Sequence, residues 1–303
     1  MAERLVKAGY DVRVWNRTRA KAEPLAKLGA TLVDNLADLA GCDVIFTMVS
    51  TGKDVGQVYF GTDGILSGDK VPEIFVDCSS ISVEESADIR VRLTSRGAAF
   101  VAAPVSGNGK CVRAGILSSA ASGPKHIFDR VEKLIATYAG HGVSYVGEGE
   151  LSRFCKIAHN VFLGVVIQNL AEITILCQKA GVPRSAFLDF MNNSVMGSAF
   201  SRYKSNALVN LDWTTTFTPV LLRKDLDLGL EAGRKLDVPM PVTAATREAF
   251  QAHFGAASLH SDPEAYLAKD FAAVLETVAL ASGISLKSEG IPIPTGLELP
   301  ESA

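Results

Sequence analysis

The sequence is short of the residues that mark several classes of protein. Cysteine occurs only five times in 303 residues, an odd number, and no two cysteines form a C-x-x-C pair. This usage favours reduced thiols in a cytoplasmic protein and argues against a disulfide framework. The five histidines have no spacing typical of metal ligands, and the carboxylates form no obvious cluster, so we expect no metal site.

An excess of charge of one sign is also missing. The 30 Lys and Arg residues nearly balance the 33 Asp and Glu residues, which leaves a net charge of -3. Such a chain has no global attraction to nucleic acid or to anionic membrane surfaces. No apolar run reaches the roughly 18 to 20 residues that span a bilayer, and the amino terminus lacks a signal-peptide core. We therefore expect neither nucleic acid nor a membrane among its partners.

What the sequence does contain, in its first half, is an alternation of short strands and helices. Apolar strands are predicted at 11–15 and 44–49 and within "PEIFVDCSS" and "GAAFVAAPVSG". Most of these strands lack polar alternation, which is typical of a parallel sheet that is covered on both faces. The pattern predicts a Rossmann-like doubly wound α/β domain over residues 1–148.

The second half has a different character, with helical spacing and no strand signal. Helices are predicted at 149–167, 184–192, 217–236, 241–254 and 263–284. We assign residues 149–287 to an all-helical substrate or dimerisation domain. Residues 288–303, rich in Pro, Gly and Ser, are expected to be a disordered or loosely attached tail.

The opening stretch "MAERLVKAGYDVRVWNRT" predicts a short helix that ends at Gly9, followed by a strand. A dinucleotide-binding fold begins with a strand, a glycine-rich turn and a helix whose amino end holds the pyrophosphate. Only the back half of that helix is present here. We therefore expect an N-terminally truncated sheet, in which one strand and its phosphate turn, about 15 to 20 residues, are absent.

Asn16, Arg17 and Thr18 follow the first visible strand. In dinucleotide folds this place carries an acid for the 2′-hydroxyl of NAD, or an arginine for the 2′-phosphate of NADP. The absence of an acid favours NADP as the cofactor, with NAD as the alternative. The same residues also suit a plain helix start, in which Asn16 or Thr18 caps and Arg17 is solvated.

The sharpest signal is "GEGELSRFCKIAHNVFLGVV", in which Lys156, Asn160 and Gly164 fall on one helix face. Apolar residues flank this stripe, namely Phe154, Ile157, Val161, Phe162 and Val165. Burial among them would disfavour the ammonium form of Lys156. A solvated surface lysine is the alternative, since single lysines are mostly exposed.

Together with further segments, this helix resembles the β-hydroxyacid dehydrogenase family, whose members are 3-hydroxyisobutyrate dehydrogenase-like and related to the NADP-binding fold of 6-phosphogluconate dehydrogenase. The other matching segments are the opening stretch, "FVDCSSIS", "APVSGNGKCVRAGIL" and "FTPVLLRKDLDLGLEAG", and together they cover residues 1–285. The resemblance implies an oxidoreductase that uses NADP or NAD on the CH–OH group of a small β-hydroxyacid or on its semialdehyde. It also implies a homo-oligomer, a dimer or a tetramer.

For the cofactor, the resemblance implies contacts from residues of both halves. Ser80 stands where the family usually has a threonine near the nicotinamide, and Met48, Val49 and Ser50 should lie along the dinucleotide, with Ser50 in place of a usual proline. Lys224 stands where a family lysine reaches the cofactor, and Asp225 would support it. From the sequence alone, Lys224 fits equally well as part of the charged first turn of an amphipathic helix.

For the substrate, the resemblance implies that Ser106, Gly107 and Asn108 hold a carboxylate. Asn108 replaces a family glycine, so the substrate is expected to differ from the acids that the glycine version accepts. A tight turn at Gly107 and Asn108 is the alternative interpretation. Asn160 falls at the place of a substrate-binding asparagine, and Lys156 at that of the catalytic lysine.

The implied mechanism is hydride transfer with Lys156 as general acid and base, for which its pKa must fall by roughly 3 units. Two alternatives stay open. The missing phosphate turn favours a non-catalytic dinucleotide-binding or interaction protein, although such relatives typically lack the lysine. An imine reductase would share the architecture, but those enzymes commonly lack a lysine at the place of Lys156.

Overall fold

The computed structural model describes residues 1–297, and the chain divides into two compact units, residues 1–156 and residue 157 onward. The strands are β1 (Arg13–Val14), β2 (Thr31–Leu32), β3 (Val44–Thr47), β4 (Ile74–Asp77), β5 (Ala99–Ala102), β6 (Val105–Ser106), β7 (Ser118–Ala121) and β8 (Gly142–Tyr145). The helices are α1 (Ala2–Lys7), α2 (Glu23–Ala26), α3 (Gly52–Phe60), α4 (Val83–Thr94), α5 (Gly109–Ala114), α6 (Lys125–Tyr138), α7 (Leu151–Lys179), α8 (Arg184–Asn193), α9 (Ala199–Asn210), α10 (Pro219–Lys235), α11 (Pro241–Ala257), α12 (Pro263–Leu267) and α13 (Val274–Ala281). Short 3₁₀ turns occur at Arg19–Lys21, Leu36–Gly41 and Phe271–Ala273.

The strands of the first unit form three small sheets. β1 pairs with β2, β3 pairs with β4, and β4 pairs with β5, all in parallel. β4 is buried along its whole length, as the unbroken apolar run of its sequence predicts. The predicted Rossmann-like α/β domain is thereby confirmed.

One predicted strand, within "GAAFVAAPVSG", is in fact two. β5 ends at Ala102, and β6 pairs antiparallel with β7, which pairs in parallel with β8. Pro104 lies between β5 and β6 and has no amide hydrogen to give to a ladder, while its carbonyl accepts from the amide of Ala120. The break therefore follows from the proline, a signal that the apolar composition of the segment conceals.

The first unit has apolar layers on both sides of β3. Ile45 belongs to a buried cluster with Val55, Tyr59 and Phe75. Its neighbour Phe46 meets the ring of Tyr138 of α6 edge-on, with ring centroids 5.8 Å apart. Because successive strand residues point to opposite faces, these contacts show that β3 is covered on both.

The short opening helix is present and ends as predicted. α1 buries Leu5, and the chain turns at Gly9, whose φ of 85° is the left-handed conformation that glycine adopts without strain. α1 packs beside α6, and the Arg4 guanidinium donates to the carbonyl oxygens of Val112 and Arg113. These contacts explain how so short a helix is held in place.

The second unit is all-helical within the described residues, as predicted. Helices α8, α10 and α11 match the predicted ranges to within three residues at each end. α7 is longer than predicted, and α9, which Ser198 caps, was not predicted at all. Its core is a cluster of buried side chains from α7 to α13, among them Ile167, Leu208, Leu226, Phe250 and Leu275.

Asp270 divides the single helix that the spacing predicts at 263–284. Its carboxylate accepts from the amides of Ala272 and Thr216, at 3.0 and 2.9 Å, and it pairs with the ammonium of Lys204 at 2.5 Å. Both members of that ion pair are at most 2% exposed. A buried carboxylate needs several hydrogen-bond donors. Asp270 therefore caps a new helical turn at this point, and the helix is not continuous.

The expected loose attachment of the tail is wrong for its first residues. Glu289 accepts the backbone amides of Arg184 and Ser185, at 2.8 and 3.1 Å, and Asn210 donates to the carbonyl of Ile291. Ile293 packs on the helical core. The part of the predicted tail after residue 297 lies outside the described residues.

The expectation that no apolar run is long enough to span a bilayer needs a correction at α7. Over its 29 residues it contains a window of mean hydropathy 1.6, so by length and composition alone it is a candidate membrane span. Half of that window is buried inside the protein, and the core helix of a globular protein passes the same test.

Candidate active site

Six of the predicted cofactor residues line one groove in the first unit. This groove, which we call the strand groove, has a volume of about 1080 Å³ and lies between the edges of β1 and β3. The predicted residues along it are Asn16, Arg17, Thr18, Met48, Val49 and Ser50. They follow β1 and β3, which is the end of a parallel sheet where α/β proteins bind ligands.

The loop after β1 carries Arg17, whose guanidinium forms no close ion pair with a neighbouring carboxylate. Asn16 accepts the backbone amide of Thr18 at 2.9 Å, and Thr18 precedes the 3₁₀ turn without capping it through its side chain. The Arg17 side chain is 86% exposed, and its nearest carboxylate is that of Asp54 at 3.9 Å. The alternative in which Thr18 caps a helix through its hydroxyl is not what the structure has. A solvated Arg17 is observed, and it leaves the guanidinium accessible to an anion.

Ser80 lies just past β4 and is half-buried, beside a buried polar network that the sequence analysis missed. Asp77 ends β4, and its carboxylate accepts the Ser79 hydroxyl at 2.8 Å. The Ser79 hydroxyl in turn accepts the amide of Val49 at 2.9 Å. This network fixes the loop after β3 against the loop after β4.

Arg153 completes that network from the first turn of α7. Its guanidinium donates to the Asp77 carboxylate at 2.6 Å, to the Ser79 carbonyl at 2.6 Å and to the Ser86 hydroxyl at 3.0 Å. Lys156 follows three residues later on the same helix, so these bonds set the position of its backbone within the first unit. An arginine inside the apolar stretch "LSRFCK" was the available signal, because a buried guanidinium requires an acid partner.

Lys156 is half-buried, and its apolar surroundings are less complete than expected. Val161 is buried, but Phe162 is exposed. Phe154, Ile157 and Val165 are intermediate. Full desolvation of Lys156 therefore stays a prediction.

In the second unit, Asn160 and Lys224 are brought together through Asp225. The side-chain amide of Asn160 donates to the Asp225 carboxylate at 2.6 Å, and Lys224 pairs with the other oxygen of Asp225 at 3.2 Å. Asn160 and Asp225 are each 5% exposed, whereas the Lys224 side chain is 46% exposed. Asp225 thus orients one predicted site residue and restrains the other. The His159 Nδ1 atom also lies 2.9 Å from the side-chain oxygen Oδ1 of Asn160, a contact that sequence spacing did not predict.

Two glycines permit the close approach of α7 and α10 that this pairing needs. A methyl group at Gly164 would come within 2.9 Å of Leu226, and one at Gly229 would overlap Val161. Side chains at either place would push the helices apart. Gly164 therefore acts by setting the distance between α7 and α10 next to Asn160.

Ser106, Gly107 and Asn108 form a turn between β6 and α5. Gly107 has a φ of 121°, and a Cβ there would lie 2.6 Å from Leu117, so this position requires glycine. The side-chain oxygen Oδ1 of Asn108 caps α5 by accepting the amides of Lys110 and Cys111, at 2.9 and 3.3 Å. The tight-turn interpretation is therefore observed, and the carboxylate-binding role of Ser106, Gly107 and Asn108 stays a prediction.

Comparison with known proteins shows the family of the chain. The sequence profile of the NAD binding domain of 6-phosphogluconate dehydrogenase matches residues 1–147, and that of the NAD-binding domain of NADP-dependent 3-hydroxyisobutyrate dehydrogenase matches residues 151–269. The chain belongs to the β-hydroxyacid dehydrogenase family. As a family member it carries a nicotinamide dinucleotide-binding fold, and the family is one of NAD(P)-dependent hydroxyacid oxidoreductases.

Three curated relatives illustrate the range of the family. Glyoxylate/succinic semialdehyde reductase 2 of Arabidopsis thaliana is 28% identical over 93% of this chain and 76% of its own length. The 2-(hydroxymethyl)glutarate dehydrogenase of Eubacterium barkeri is 29% identical over 83% of this chain and 84% of its own. The cytokine-like nuclear factor N-PAC of Homo sapiens is 28% identical over 82% of this chain, which spans 45% of that protein.

A solved structure shows the same fold. A crystal structure of 3-hydroxyisobutyrate dehydrogenase from Salmonella typhimurium superposes with a TM-score of 0.78 at 22% identity, over 91% of this chain and 94% of the other. The predicted fold, a Rossmann-like domain followed by a helical one, is confirmed.

Proposed function

We propose that this protein transfers hydride between NADP(H) and a small β-hydroxyacid or its semialdehyde, with Lys156 as the general acid and base. The observation that carries the proposal is the polar stripe of α7, on which Lys156 is followed one turn later by an Asn160 that Asp225 holds in a single orientation. A lysine and an oriented amide are the groups needed to move a proton at an alcohol and to hold its oxygen.

The residues after β1 fit a phosphorylated nucleotide. Asn16, Arg17 and Thr18 contain no acid, and the exposed Arg17 guanidinium offers a planar set of donors for a phosphate. NAD, whose ribose hydroxyl is usually bound by an acid, fits the loop less well. This chemistry supports NADP as the preferred cofactor.

Lys156 has one task in each direction of the reaction. During oxidation its Nζ, as a neutral amine, takes the hydroxyl proton of the substrate, and during reduction its ammonium returns a proton to the carbonyl oxygen. When bound, the nicotinamide ring supplies the other half of the chemistry, because it accepts or donates the hydride. The Arg153 network, which anchors the first turn of α7, keeps the lysine backbone in place for both steps.

Asn160 would hold the reacting oxygen of the substrate. One of its amide hydrogens is used by Asp225, which leaves the second hydrogen of the same nitrogen for a substrate oxygen. Ser106, Gly107 and the Asn108 amide nitrogen would hold the substrate carboxylate. Since the Asn108 side chain occupies space that glycine would leave open, we expect a preference for short acids.

A second candidate is an interaction protein that binds dinucleotide without catalysis. The relation to N-PAC, which bears the name of a nuclear factor, favours it. An imine reductase remains a weaker alternative, against which Lys156 argues.

The experiment separates binding from turnover. NADPH and NADH binding is measured by nucleotide fluorescence, and oxidation of each is followed with glyoxylate, succinic semialdehyde and a panel of short-chain semialdehydes. The proposal predicts NADPH-dependent reduction of at least one of these carbonyls. Binding of NADPH without turnover of any of them would support the second candidate and overturn the first.

A further inference from the structure

The segment around α5 contains basic residues but no acids. From Ile89 to Phe128 the sequence has no Asp or Glu, although these residues number 33 in the whole chain. Lys110 and Arg113 belong to α5 and are three residues apart, so their side chains start from the same side of the helix. A carboxylate that neutralises them has to come from another part of the chain or from a ligand.

No other part of the described chain supplies that carboxylate. Within residues 1–297, neither Lys110 nor Arg113 forms an ion pair. Lys110 is half-buried, and Arg113 is exposed. A partly buried ammonium without a counter-ion is unfavourable, and a bound anion would offset that cost. The two cations are therefore accessible to an anionic ligand.

Arg4 is a further cation beside α5, but the protein itself uses it. Its guanidinium donates to the carbonyl oxygens of Val112 and Arg113, at 3.0 and 2.9 Å, in the last turn of the helix. Cations are favourable at that end of a helix because its carbonyls lack partners. Arg4 therefore has a structural role and is not counted among the ligand-binding groups.

The Arg113 guanidinium folds back toward the turn that precedes α5. A Cβ atom on Gly109 would lie 3.9 Å from the Nη1 atom of Arg113. Gly109 directly follows residues 106–108, which are predicted to hold the substrate carboxylate, and Lys110 comes next in the chain. The two unpaired cations are thus neighbours of that turn.

The donors at this place suit a carboxylate better than a phosphate. The backbone amides of Lys110 and Cys111 are already used by Oδ1 of Asn108. A phosphate group has three strong acceptor oxygens, whereas a planar guanidinium binds both oxygens of one carboxylate. The groups that remain, one guanidinium and one ammonium, match a single carboxylate.

We propose that Lys110 and Arg113 bind a second carboxylate of the substrate, so that the preferred substrate is a short dicarboxylic hydroxyacid or its semialdehyde. This inference rests on the proposed function, in which the first carboxylate lies at residues 106–108. Because the Arg113 guanidinium lies beside Gly109, the second carboxylate is on a short branch of the substrate. A long branch would carry it past both cations.

The test compares two alcohols that differ only in this group. Hydroxymethylsuccinate carries a carboxylate where 2-(hydroxymethyl)butanoate has a methyl group. Each is oxidised at its hydroxymethyl carbon, with NADP⁺ as the hydride acceptor and Lys156 as the proton acceptor. We expect kcat/KM of the wild type to be about a hundredfold higher for the diacid, about tenfold for each of two charged contacts.

Substitution of either cation is expected to reduce this preference. Lys110→Met and Arg113→Met should each lower the ratio of the two kcat/KM values by about tenfold, and Arg113→Lys should retain part of it. Lys133→Met, at an exposed lysine of α6, is the matched control and should keep the wild-type ratio. Thermal unfolding verifies that all four variants are folded.

Binding is measured separately from turnover. The Kd of each alcohol is determined by calorimetry on the full chain in the presence of NADPH, a mixture in which the alcohol is not oxidised. Tighter binding of the diacid without turnover of either alcohol would support the second carboxylate site and contradict the proposed hydride transfer. Turnover of both alcohols with equal kcat/KM and equal Kd would support the hydride transfer and overturn this inference.

Two further results would overturn the inference. One is a ratio of kcat/KM values that Lys110→Met and Arg113→Met leave at the wild-type level. The other is a rise in the Kd of NADPH, in these variants, by the same factor as the rise in the Kd of the diacid. That result would assign the two cations to the cofactor.

Discussion

Arg153 and Asp77 form an ion pair in which the guanidinium nitrogen lies 2.6 Å from the carboxylate oxygen, although neither side chain is more than 1% exposed. The two residues join the first turn of α7 to the end of β4. Such a pair is a weak source of net stability as long as it is intact, but removal of one partner leaves a buried charge without compensation. The stability of the first unit is therefore expected to fall strongly when either residue is substituted.

Arg153→Met is predicted to destabilise the protein by about 3 to 5 kcal/mol, since the Asp77 carboxylate would remain buried without its partner. The free energy of unfolding is measured by urea denaturation. The matched control is Arg130→Met, which breaks an ion pair with Glu73 on the surface and is expected to change stability little. An equal effect of the two substitutions would contradict the structural role of Arg153.

His253 is predicted to make stability depend on pH. It is fully buried, bonds to the Thr277 hydroxyl at 2.7 Å, and burial lowers its pKa to about 4. The unfolded chain, in which the pKa is about 6.5, then binds more protons than the folded one below pH 6.5, so stability falls as the pH falls from about 6.5 toward 4.

Between pH 7.5 and pH 5, this residue alone is expected to remove about 2 kcal/mol of stability. The measurement is urea denaturation at both values for the wild type and for His253→Leu, which should lose that part of the pH dependence. His126→Leu, at an exposed histidine, should retain it. Identical pH dependence in all three proteins would show that His253 is not buried in neutral form.

Asp225 is predicted to act as a positioning residue for Asn160. Removal of the carboxylate in Asp225→Ala takes away a charged hydrogen-bond acceptor worth about 1.5 to 3 kcal/mol, so the KM for the hydroxyacid should rise by about ten- to a hundredfold, with a smaller change in kcat. The measurement is steady-state kinetics at saturating NADPH. Asp227→Ala, two residues along α10 at a half-exposed carboxylate bonded to Arg247, is the control and should leave KM unchanged. A fall in kcat without a rise in KM would contradict the positioning role.

Arg17 is predicted to select NADP over NAD. Arg17→Ala should raise the Kd of NADPH by about ten- to a hundredfold, because a charged hydrogen bond to the 2′-phosphate is lost, and should change that of NADH by less than about twofold. Nucleotide fluorescence gives both constants. Arg19→Ala, at a neighbouring exposed arginine that pairs with Asp34, is the matched control. If the Kd values of NADPH and NADH rise to the same extent, Arg17 does not bind the 2′-phosphate.

Most of the fold could be predicted from local sequence patterns. Strands β1, β3, β4 and β5, the cap at Gly9 and the long helix that bears Lys156 and Asn160 were predicted, because each depends on periodicity or on one residue with special backbone freedom, whereas β2 and β7 were not. The loops after β1 and β3 were also expected to carry the cofactor residues, since a parallel sheet binds ligands at that end.

Contacts between distant positions were not predicted. The pairing of Arg153 with Asp77, of Asn160 with Asp225 and of Glu289 with Arg184 depends on which elements pack together, a property of the whole fold. Helix α9 was missed because its apolar and polar residues follow no clear stripe. The role of Asn108 could not be predicted either. Its side chain can cap a helix or bind a ligand, and the sequence pattern alone does not distinguish these two roles.

The central claim, that Lys156 moves the proton, is tested most directly by single-turnover hydride transfer. NADPH oxidation is followed in a stopped-flow instrument for the wild type, for Lys156→Ala, and for Lys179→Ala at an exposed lysine in the last turn of the same helix. We expect Lys156→Ala to lose about 10²- to 10⁴-fold in rate, with NADPH affinity unchanged, and an added primary amine to restore part of it, while Lys179→Ala keeps the wild-type rate. A Lys156→Ala protein that binds NADPH and transfers hydride at the wild-type rate would contradict the account.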